Sequence, residues 1–271
     1  MFYDFAMNRR RFFAFASLLL LSCTIVVGCQ SKPAVQTPTT ITVSAAADLK
    51  YAFQDLATQW EQETGNKVAL NFGSTGQLAQ QIERGASPDL FAAANKSFIE
   101  ALDQKGLIQS ETKLLYGRGR LVIWTKPNRE LALKDLKDLT RPEIQRIAIA
   151  NPNHAPYGIA AQQALESIGI WQEIQPKLVL AENIRQAQQY AETGNVDVAL
   201  VALSLSVHKS GKWQLIPEEL HKPLDQMMAV PKRAQHPGLG QEFAKFIDSQ
   251  KGRPTMQKYG FVLPGEKIAA E

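Results

Sequence analysis

The chain has 271 residues, two cysteines and a formal net charge of +4. Residues 1–28 hold three arginines and one aspartate, so the rest carries 27 basic and 25 acidic residues. This near-balance excludes the global basic surface that favours nucleic-acid binding. About 230 residues from Ile41 onward are long enough for one large or two modest α/β lobes.

Residues 1–28 are predicted to be an export signal. A charged stretch at 9–11 precedes an apolar run over 12–27, which is too short and too one-sided in its flanking charges for a transmembrane span. The run ends in VVGC at 26–29, which resembles the cleavage box of bacterial lipoproteins. Cys29 is therefore predicted to be the lipidated first residue of the mature protein. A plain secretory signal and a signal anchor are the alternatives.

The mature chain is predicted to keep one cysteine at most, because Cys23 lies inside the apolar run. One cysteine allows neither a disulfide within the chain nor a thiolate metal site. The four histidines have no acidic companion in a metal-binding spacing, so no metal is predicted. Residues 29–40 are rich in Thr, Pro, Gln and Ser and are predicted to form an extended tether.

The first strand, turn and helix are predicted over Ile41–Trp60. Small residues at 45–47 follow a β-branched run, and apolar residues then recur at helical spacing. Asp48 lies where a helix N-cap is expected. A helix start has backbone N–H groups without intrahelical partners and the positive end of the helix dipole, so the turn has the outline of an anion site. An ordinary βα unit with an aspartate cap is the alternative.

Strand-like and helix-like segments keep alternating after this unit, which favours an α/β fold with parallel βα units. Four strand-to-helix turns are rich in small or hydroxyl residues, two in each half of the chain. The further predicted strands are 67–72, 88–92, 120–125, 144–150, 177–181, 197–202 and 227–230. The further predicted helices are 77–84, 97–104, 159–167, 185–192, 239–248 and 254–259.

Five ordered segments resemble the molybdate-binding subunit of ABC importers. They are AAADL at 45–49, FGSTGQL at 72–78, ANPNHAPYGIAAQQAL at 150–165, LAENIRQ at 180–186 and YGF at 259–261. A lone GSTG is weak evidence, whereas the ordered set is specific. The resemblance implies a two-lobed periplasmic-binding-protein fold of type II, with the ligand in the cleft between the lobes. Lobe I is expected over 41–118 and 231–271, and lobe II over 119–230.

The resemblance also implies a tetrahedral oxyanion, molybdate or tungstate, held by neutral donors without a contacting arginine or lysine. Fixed N–H and O–H groups can satisfy a desolvated oxyanion in this way. Carried over to this sequence, the expected contacts are Ala47 and Asp48 in the first turn, Ser74 and Thr75 in the second, Tyr157 in the third and the Ile184 backbone N–H in the fourth.

This sequence departs from one branch of the family at two positions. That branch has a serine in place of Asp48, and a carboxylate facing a dianion would repel it. The Asp48 side chain is therefore expected to turn back as a helix cap, with its backbone N–H facing the ligand. The same branch has a tyrosine where this chain has Ala202, and Tyr157 in the PYG turn is predicted to supply the replacement hydroxyl, as in a second branch.

Each assignment has a plain structural alternative. Ser74 and Thr75 are also suited to capping the helix that follows them. Tyr157 is also suited to packing as an aromatic side chain with a solvated hydroxyl.

The resemblance implies an exported, lipid-anchored binding protein that needs no cofactor and delivers its oxyanion to a membrane permease and ATPase. Sulfate or phosphate is the alternative ligand. An enzyme is disfavoured, because GxSxG and HExxH motifs and a usable cysteine are missing from the sequence. A DNA-binding regulator is disfavoured, because the signal and tether take the place of an N-terminal recognition module.

Overall fold

The computed structural model of the protein describes residues 37–127, 131 and 133–266, together with Met1. The predicted signal, Cys29 and most of the predicted tether lie outside the described residues. Within the described part of the chain, no helix combines the length and the apolar character that crossing a bilayer requires.

Ten described strands form two five-stranded sheets. The strands are β1 (Thr40–Ala46), β2 (Lys67–Gly73), β3 (Leu90–Ala93), β4 (Leu114–Gly119), β5 (Leu121–Thr125), β6 (Ile147–Ala150), β7 (Leu178–Ala181), β8 (Val198–Ala202), β9 (Lys212–Leu215) and β10 (Leu224–Ala229). The first sheet has the order β2-β1-β3-β10-β4, and the second has the order β7-β6-β8-β5-β9.

Most of the helices connect successive strands, and the last two follow β10. The α-helices are α1 (Lys50–Thr64), α2 (Thr75–Glu83), α3 (Lys96–Gln104), α4 (Pro156–Ser167), α5 (Trp171–Ile174), α6 (Ile184–Thr193), α7 (Leu203–Ser206), α8 (Pro237–Ile247) and α9 (Arg253–Lys258). Short 3₁₀ segments cover 47–49, 110–112, 136–140, 175–177 and 218–220.

Each sheet is parallel on one side and antiparallel on the other. Strand β1 is parallel to β2 and β3, whereas β10 is antiparallel to β3 and β4. Likewise β6 is parallel to β7 and β8, whereas β5 is antiparallel to β8 and β9. The expectation of parallel units is thus correct for only half of each sheet. The sequence prediction missed β4, which contains two glycines, and β9, which is mostly exposed.

The chain passes between the sheets twice. It leaves the first sheet after β4 at Gly119 and returns between β9 and β10. Strand β10 therefore pairs within the first sheet, although the sequence placed its residues in lobe II at 119–230. The predicted strand at 227–230 also began too late, because Asp225 and Gln226 interrupt the apolar pattern. Gln226 is nevertheless fully buried.

Aromatic packing holds α1 against α8. Phe53 and Trp60 on α1 are buried and meet the ring of Phe243 on α8 at centroid distances of 6.2 and 5.4 Å. Burial of such a side chain contributes about 1.5–3 kcal/mol. Neighbouring parallel strands end at the same edge of a sheet, so the turns after β1 and β2 lie side by side.

Candidate functional site

Four helix starts, two from each lobe, converge on one small cavity. They follow β1, β2, β6 and β7. Such starts present backbone N–H groups and positive dipole ends to the same space. All six residues predicted from the sequence line this cavity, whose lining residues are Ala46, Ala47, Asp48, Gly73, Ser74, Thr75, Ala94, Ala155, Pro156, Tyr157 and Ile184.

The first lobe contributes the 3₁₀ segment that starts at Ala47 and the start of α2. Helix α2 begins at Thr75, two residues before its predicted start, so Thr75 lies in the first turn. The Ser74 side chain makes no capping hydrogen bond. Its hydroxyl instead donates to the His154 carbonyl oxygen at 2.7 Å. Thr75 Oγ1 accepts the backbone N–H of Ala94 at 3.0 Å, which leaves the hydroxyl proton available for another acceptor.

The second lobe contributes the starts of α4 and α6. Helix α4 begins at Pro156 rather than at Ile159, so Tyr157 belongs to its first turn. Proline is favoured at this position because its missing N–H would have no intrahelical partner. Ile184 is the first residue of α6, and the Asn183 side chain caps this helix by accepting the Gln186 N–H at 3.0 Å. Ile184 itself is buried, and its N–H belongs to the first turn, where backbone N–H groups have no intrahelical partner.

The expectation that Asp48 caps its helix is wrong. The 3₁₀ segment starts at Ala47, so Ala46 takes the N-cap position and Asp48 falls inside the turn. The Asp48 carboxylate instead accepts two hydrogen bonds at Oδ2, from Gln226 Nε2 at 2.6 Å and from the Tyr157 hydroxyl at 3.1 Å. The side chain therefore joins the first turn to residues far along the chain.

Burial dominates the electrostatics of this carboxylate. Asp48 is only 1% exposed, and its burial raises its pKa to about 6 against the opposing effect of the hydrogen bonds from Gln226 and Tyr157. Burial, followed by the nearby Asp48 charge, also raises the pKa of Tyr157 well above its usual value. Among the described residues that line the cavity, none is a lysine, arginine or histidine. The donors around the cavity are therefore neutral.

Several hydrogen bonds join the two lobes around the cavity. The Gly76 N–H donates to the His154 carbonyl oxygen at 2.9 Å, beside the bond from Ser74. The Ser204 hydroxyl donates to the Asp48 carbonyl oxygen at 2.8 Å. The cleft is therefore closed in this structure.

Ser74 and His154 form a contact that superficially resembles a catalytic pair. Ser74 Oγ lies 2.8 Å from His154 Nδ1. The single hydroxyl proton is engaged by the His154 carbonyl oxygen at 2.7 Å, because two oxygens at that distance need a proton between them. His154 Nδ1 must then be the donor in its own contact with Ser74. This is the reverse of the direction that a general base requires.

Sequence reasoning missed Gln226, Gly119 and the role of the His154 carbonyl. Gln226 lies on the same buried face of β10 as Leu224 and Met228. A single amide side chain on an otherwise apolar buried face is a sequence signal that could have pointed to this residue. Its Nε2 also lies 3.2 Å from the Tyr157 hydroxyl. At Gly119, a Cβ would lie 2.0 Å from that hydroxyl and 2.6 Å from Gln226 Nε2, so only glycine leaves room for the cluster.

The sequence of this chain is similar to those of known solute-binding proteins. The family described as bacterial extracellular solute-binding protein matches residues 41–262. The molybdate-binding protein ModA of Azotobacter vinelandii is 32% identical over 230 residues, which cover 82% of this chain and 90% of the relative. YvgL of Bacillus subtilis (strain 168), provisionally named as an ABC transporter substrate-binding lipoprotein, is 28% identical over 250 residues, with coverages of 89% and 95%.

A solved structure supports the same fold. The periplasmic molybdate-binding protein of Azotobacter vinelandii superposes with a TM-score of 0.78 at 28% identity, covering 83% of this chain and 99% of that protein. The predicted two-lobed periplasmic-binding-protein fold is confirmed. The chain belongs to the family of bacterial extracellular solute-binding proteins.

Proposed function

We propose that this protein captures molybdate, and tungstate as a close analogue, outside the cytoplasm and delivers it to the permease and ATPase of an ABC importer. The observation that carries the proposal is the convergence of four helix starts, two from each lobe, on one small cavity. Relatives that match most of the chain are named as molybdate-binding proteins.

The donor set suits a tetrahedral dianion. Asp48, Thr75 and Ile184 lie in first turns that line the cavity, and first-turn N–H groups carry partial positive charge. The Thr75 hydroxyl adds a donor without a formal charge, whereas the Ser74 hydroxyl proton is engaged by the His154 carbonyl oxygen in this closed structure. A buried oxyanion needs such fixed donors, because each unsatisfied oxygen would lose its hydration without replacement.

Tyr157 is proposed as the tyrosine of this site, in keeping with the branch that carries PYG. Support comes from its place in the first turn of α4 and from its lining of the cavity. Ala202, where another branch carries its tyrosine, ends β8 and is not among the lining residues that the structure describes.

The protein is also proposed to be anchored to the membrane through a lipid on Cys29. The VVGC sequence and the polar segment that follows it support this assignment. The anchor would keep the binding protein beside the membrane that holds the permease.

Competition calorimetry tests the proposed ligand. Molybdate, tungstate, sulfate and phosphate are titrated separately, and then each of the other three is titrated into the protein saturated with molybdate, with chloride at equal ionic strength as the control. Tight binding of molybdate and tungstate is expected, with sulfate and phosphate failing to displace molybdate at equal concentration. Displacement by sulfate or phosphate would overturn the ligand assignment, and no binding of any oxyanion would overturn the site.

A further inference from the structure

The candidate cavity contains the Asp48 carboxylate, and no lysine, arginine or histidine is among its described lining residues. Asp48 lines it, is 1% exposed, and accepts both of its recorded side-chain hydrogen bonds at Oδ2. Its other oxygen, Oδ1, is buried and has no hydrogen-bond partner among the described residues. A buried acceptor without a donor is unfavourable, and more so when it is charged. The unpartnered Oδ1 therefore calls for a ligand or a proton.

The groups that face Asp48 from each neighbouring element are neutral. Tyr157 from α4 and Gln226 from β10 donate to its carboxylate, and Ser204 from α7 donates to its carbonyl oxygen. Tyr116 from β4 lies behind Gln226, and its hydroxyl is 2.8 Å from Gln226 Oε1, which orients the amide with Nε2 toward Asp48. Neither tyrosine ionises at neutral pH, because burial raises the pKa of both well above the usual value.

An ionised Asp48 would oppose the binding of a dianion in two ways. Two like charges in one desolvated cavity repel each other, which favours protonation of the weaker acid. The carboxylate also engages the only proton of the Tyr157 hydroxyl, so the tyrosine faces any other acceptor with lone pairs alone. Both obstacles disappear when Asp48 is protonated, because the carboxyl then becomes a donor and releases the tyrosine proton.

We propose that the oxyanion enters this cavity together with one proton, which comes from solvent and is held on Asp48. This inference rests on the proposed function, because it concerns the same site. The proton adds to a carboxylate oxygen of Asp48, and no bond of the ligand breaks. Binding then changes the net charge of the protein by −1, whereas a dianion without the proton would change it by −2. Burial already raises the pKa of Asp48 to about 6, and a bound dianion raises it further.

Proton uptake is measured directly by calorimetry. Molybdate is titrated at pH 8 in two buffers that differ in ionisation enthalpy, and the dissociation constant is followed from pH 6 to pH 9. We expect uptake of about one proton per molybdate at pH 8, and a loss of affinity of about tenfold per pH unit between pH 7 and pH 9. Toward pH 6 the affinity should begin to level off, because about half of the Asp48 carboxyl groups are then protonated before the ligand arrives.

Two variants locate the proton. Asp48→Asn keeps the shape of the side chain and cannot titrate, so uptake should vanish and affinity should change less than about twofold across the same range. Asp55→Asn is the matched control on the next helix, since Asp55 pairs with Lys258 and Tyr259 away from the cavity. This control should keep the uptake and the pH dependence of the parent protein.

The possible outcomes separate this inference from the proposed function. A parent protein that binds no molybdate at any pH overturns the proposed function. A parent that binds molybdate tightly with no proton uptake and a flat pH profile overturns this inference alone. Uptake that persists in Asp48→Asn, or in Asp48→Ser if the asparagine variant does not fold, places the proton elsewhere and also overturns it.

Discussion

The Tyr157 hydroxyl donates a hydrogen bond to Asp48 Oδ2 at 3.1 Å, and this bond joins the two lobes directly at the candidate ligand cavity. Gln226 lies within hydrogen-bond distance of both groups, so the three side chains form one buried cluster. An oxyanion that uses the tyrosine hydroxyl must compete with Asp48 for its proton.

Replacing Tyr157 by phenylalanine should weaken molybdate binding about tenfold to a hundredfold. The change removes one donor to a charged ligand, which corresponds to about 1.5–3 kcal/mol. The ring remains to pack in its buried position, so the protein should still fold. Titration calorimetry measures the affinity, with Tyr259→Phe as the control because the Tyr259 hydroxyl bonds Asp55 outside the cavity. Unchanged affinity would remove Tyr157 from the ligand set.

Replacing Thr75 by valine should lower both stability and affinity. Thr75 Oγ1 accepts the buried Ala94 N–H at 3.0 Å, and losing that acceptor costs about 1–3 kcal/mol. Thr75→Ser keeps the hydroxyl and should stay close to the parent protein. Chemical denaturation gives the stability and calorimetry gives the affinity. Equal loss of affinity in the serine variant would mean that the γ-methyl group matters more than the hydroxyl.

Replacing Gly76 by alanine should hinder closure of the lobes. A Cβ at this position would lie 2.5 Å from the His154 carbonyl oxygen across the cleft. The affinity for molybdate should fall at least about tenfold, since more than about 1.4 kcal/mol of closing contacts would be lost. Gly238→Ala is the control, because a Cβ there meets nothing within 4 Å.

Small-angle scattering reports the closure itself. Adding molybdate should reduce the radius of gyration of an open parent population, and the Gly76→Ala variant should show a smaller reduction or none. A variant that closes as completely as the parent would show that the Gly76 to His154 contact does not control closure.

The contribution of Asp48 to the stability of the ligand-free protein should fall as pH rises from about 4 to about 6. Burial raises the pKa of Asp48 from 3.8 to about 6, so in this window the folded state binds more protons than the unfolded state. The shift corresponds to a loss of about 3 kcal/mol that is complete above pH 6. Urea denaturation of the parent and of Asp48→Asn at several pH values isolates this effect. If the difference between the two proteins does not change with pH, the carboxyl group is not shifted in this way.

Replacing Cys29 by serine should release the protein from membranes or block its processing. Cys29 lies outside the described residues, and the prediction comes from the VVGC sequence at 26–29. A single acyl chain binds a protein to the membrane only marginally, whereas several chains bind it firmly. The fraction of protein found with the membrane should therefore fall strongly in the variant. Membrane fractionation and the mass of the mature protein measure the effect. A variant with unchanged membrane association and mass would contradict the lipoprotein assignment.

The sequence by itself determined where the helix starts and the donors lie. Small and hydroxyl residues between a strand and a helix, as in 45–49 and 72–78, are local features, and a helix start offers N–H groups wherever it occurs. Through the family that they resemble, the ordered motifs then sufficed to predict the fold and six of the eleven described residues that line the cavity. Two helices begin a few residues before their predicted starts at 77 and 159, namely at Thr75 and Pro156. Helix propensity alone does not fix the residue at which a helix begins.

Only the tertiary structure decided what Asp48 contacts. Its partners Tyr157 and Gln226 lie 109 and 178 residues away along the chain, and the chain crosses between the two sheets before it reaches them. Neighbouring residues alone predict that the Asp48 carboxylate caps its own helix, because the donors nearest to it in sequence are the N–H groups of that helix. Burial between two lobes removed solvent from the carboxylate and set its pKa, and neither effect is encoded in the spacing of neighbouring residues.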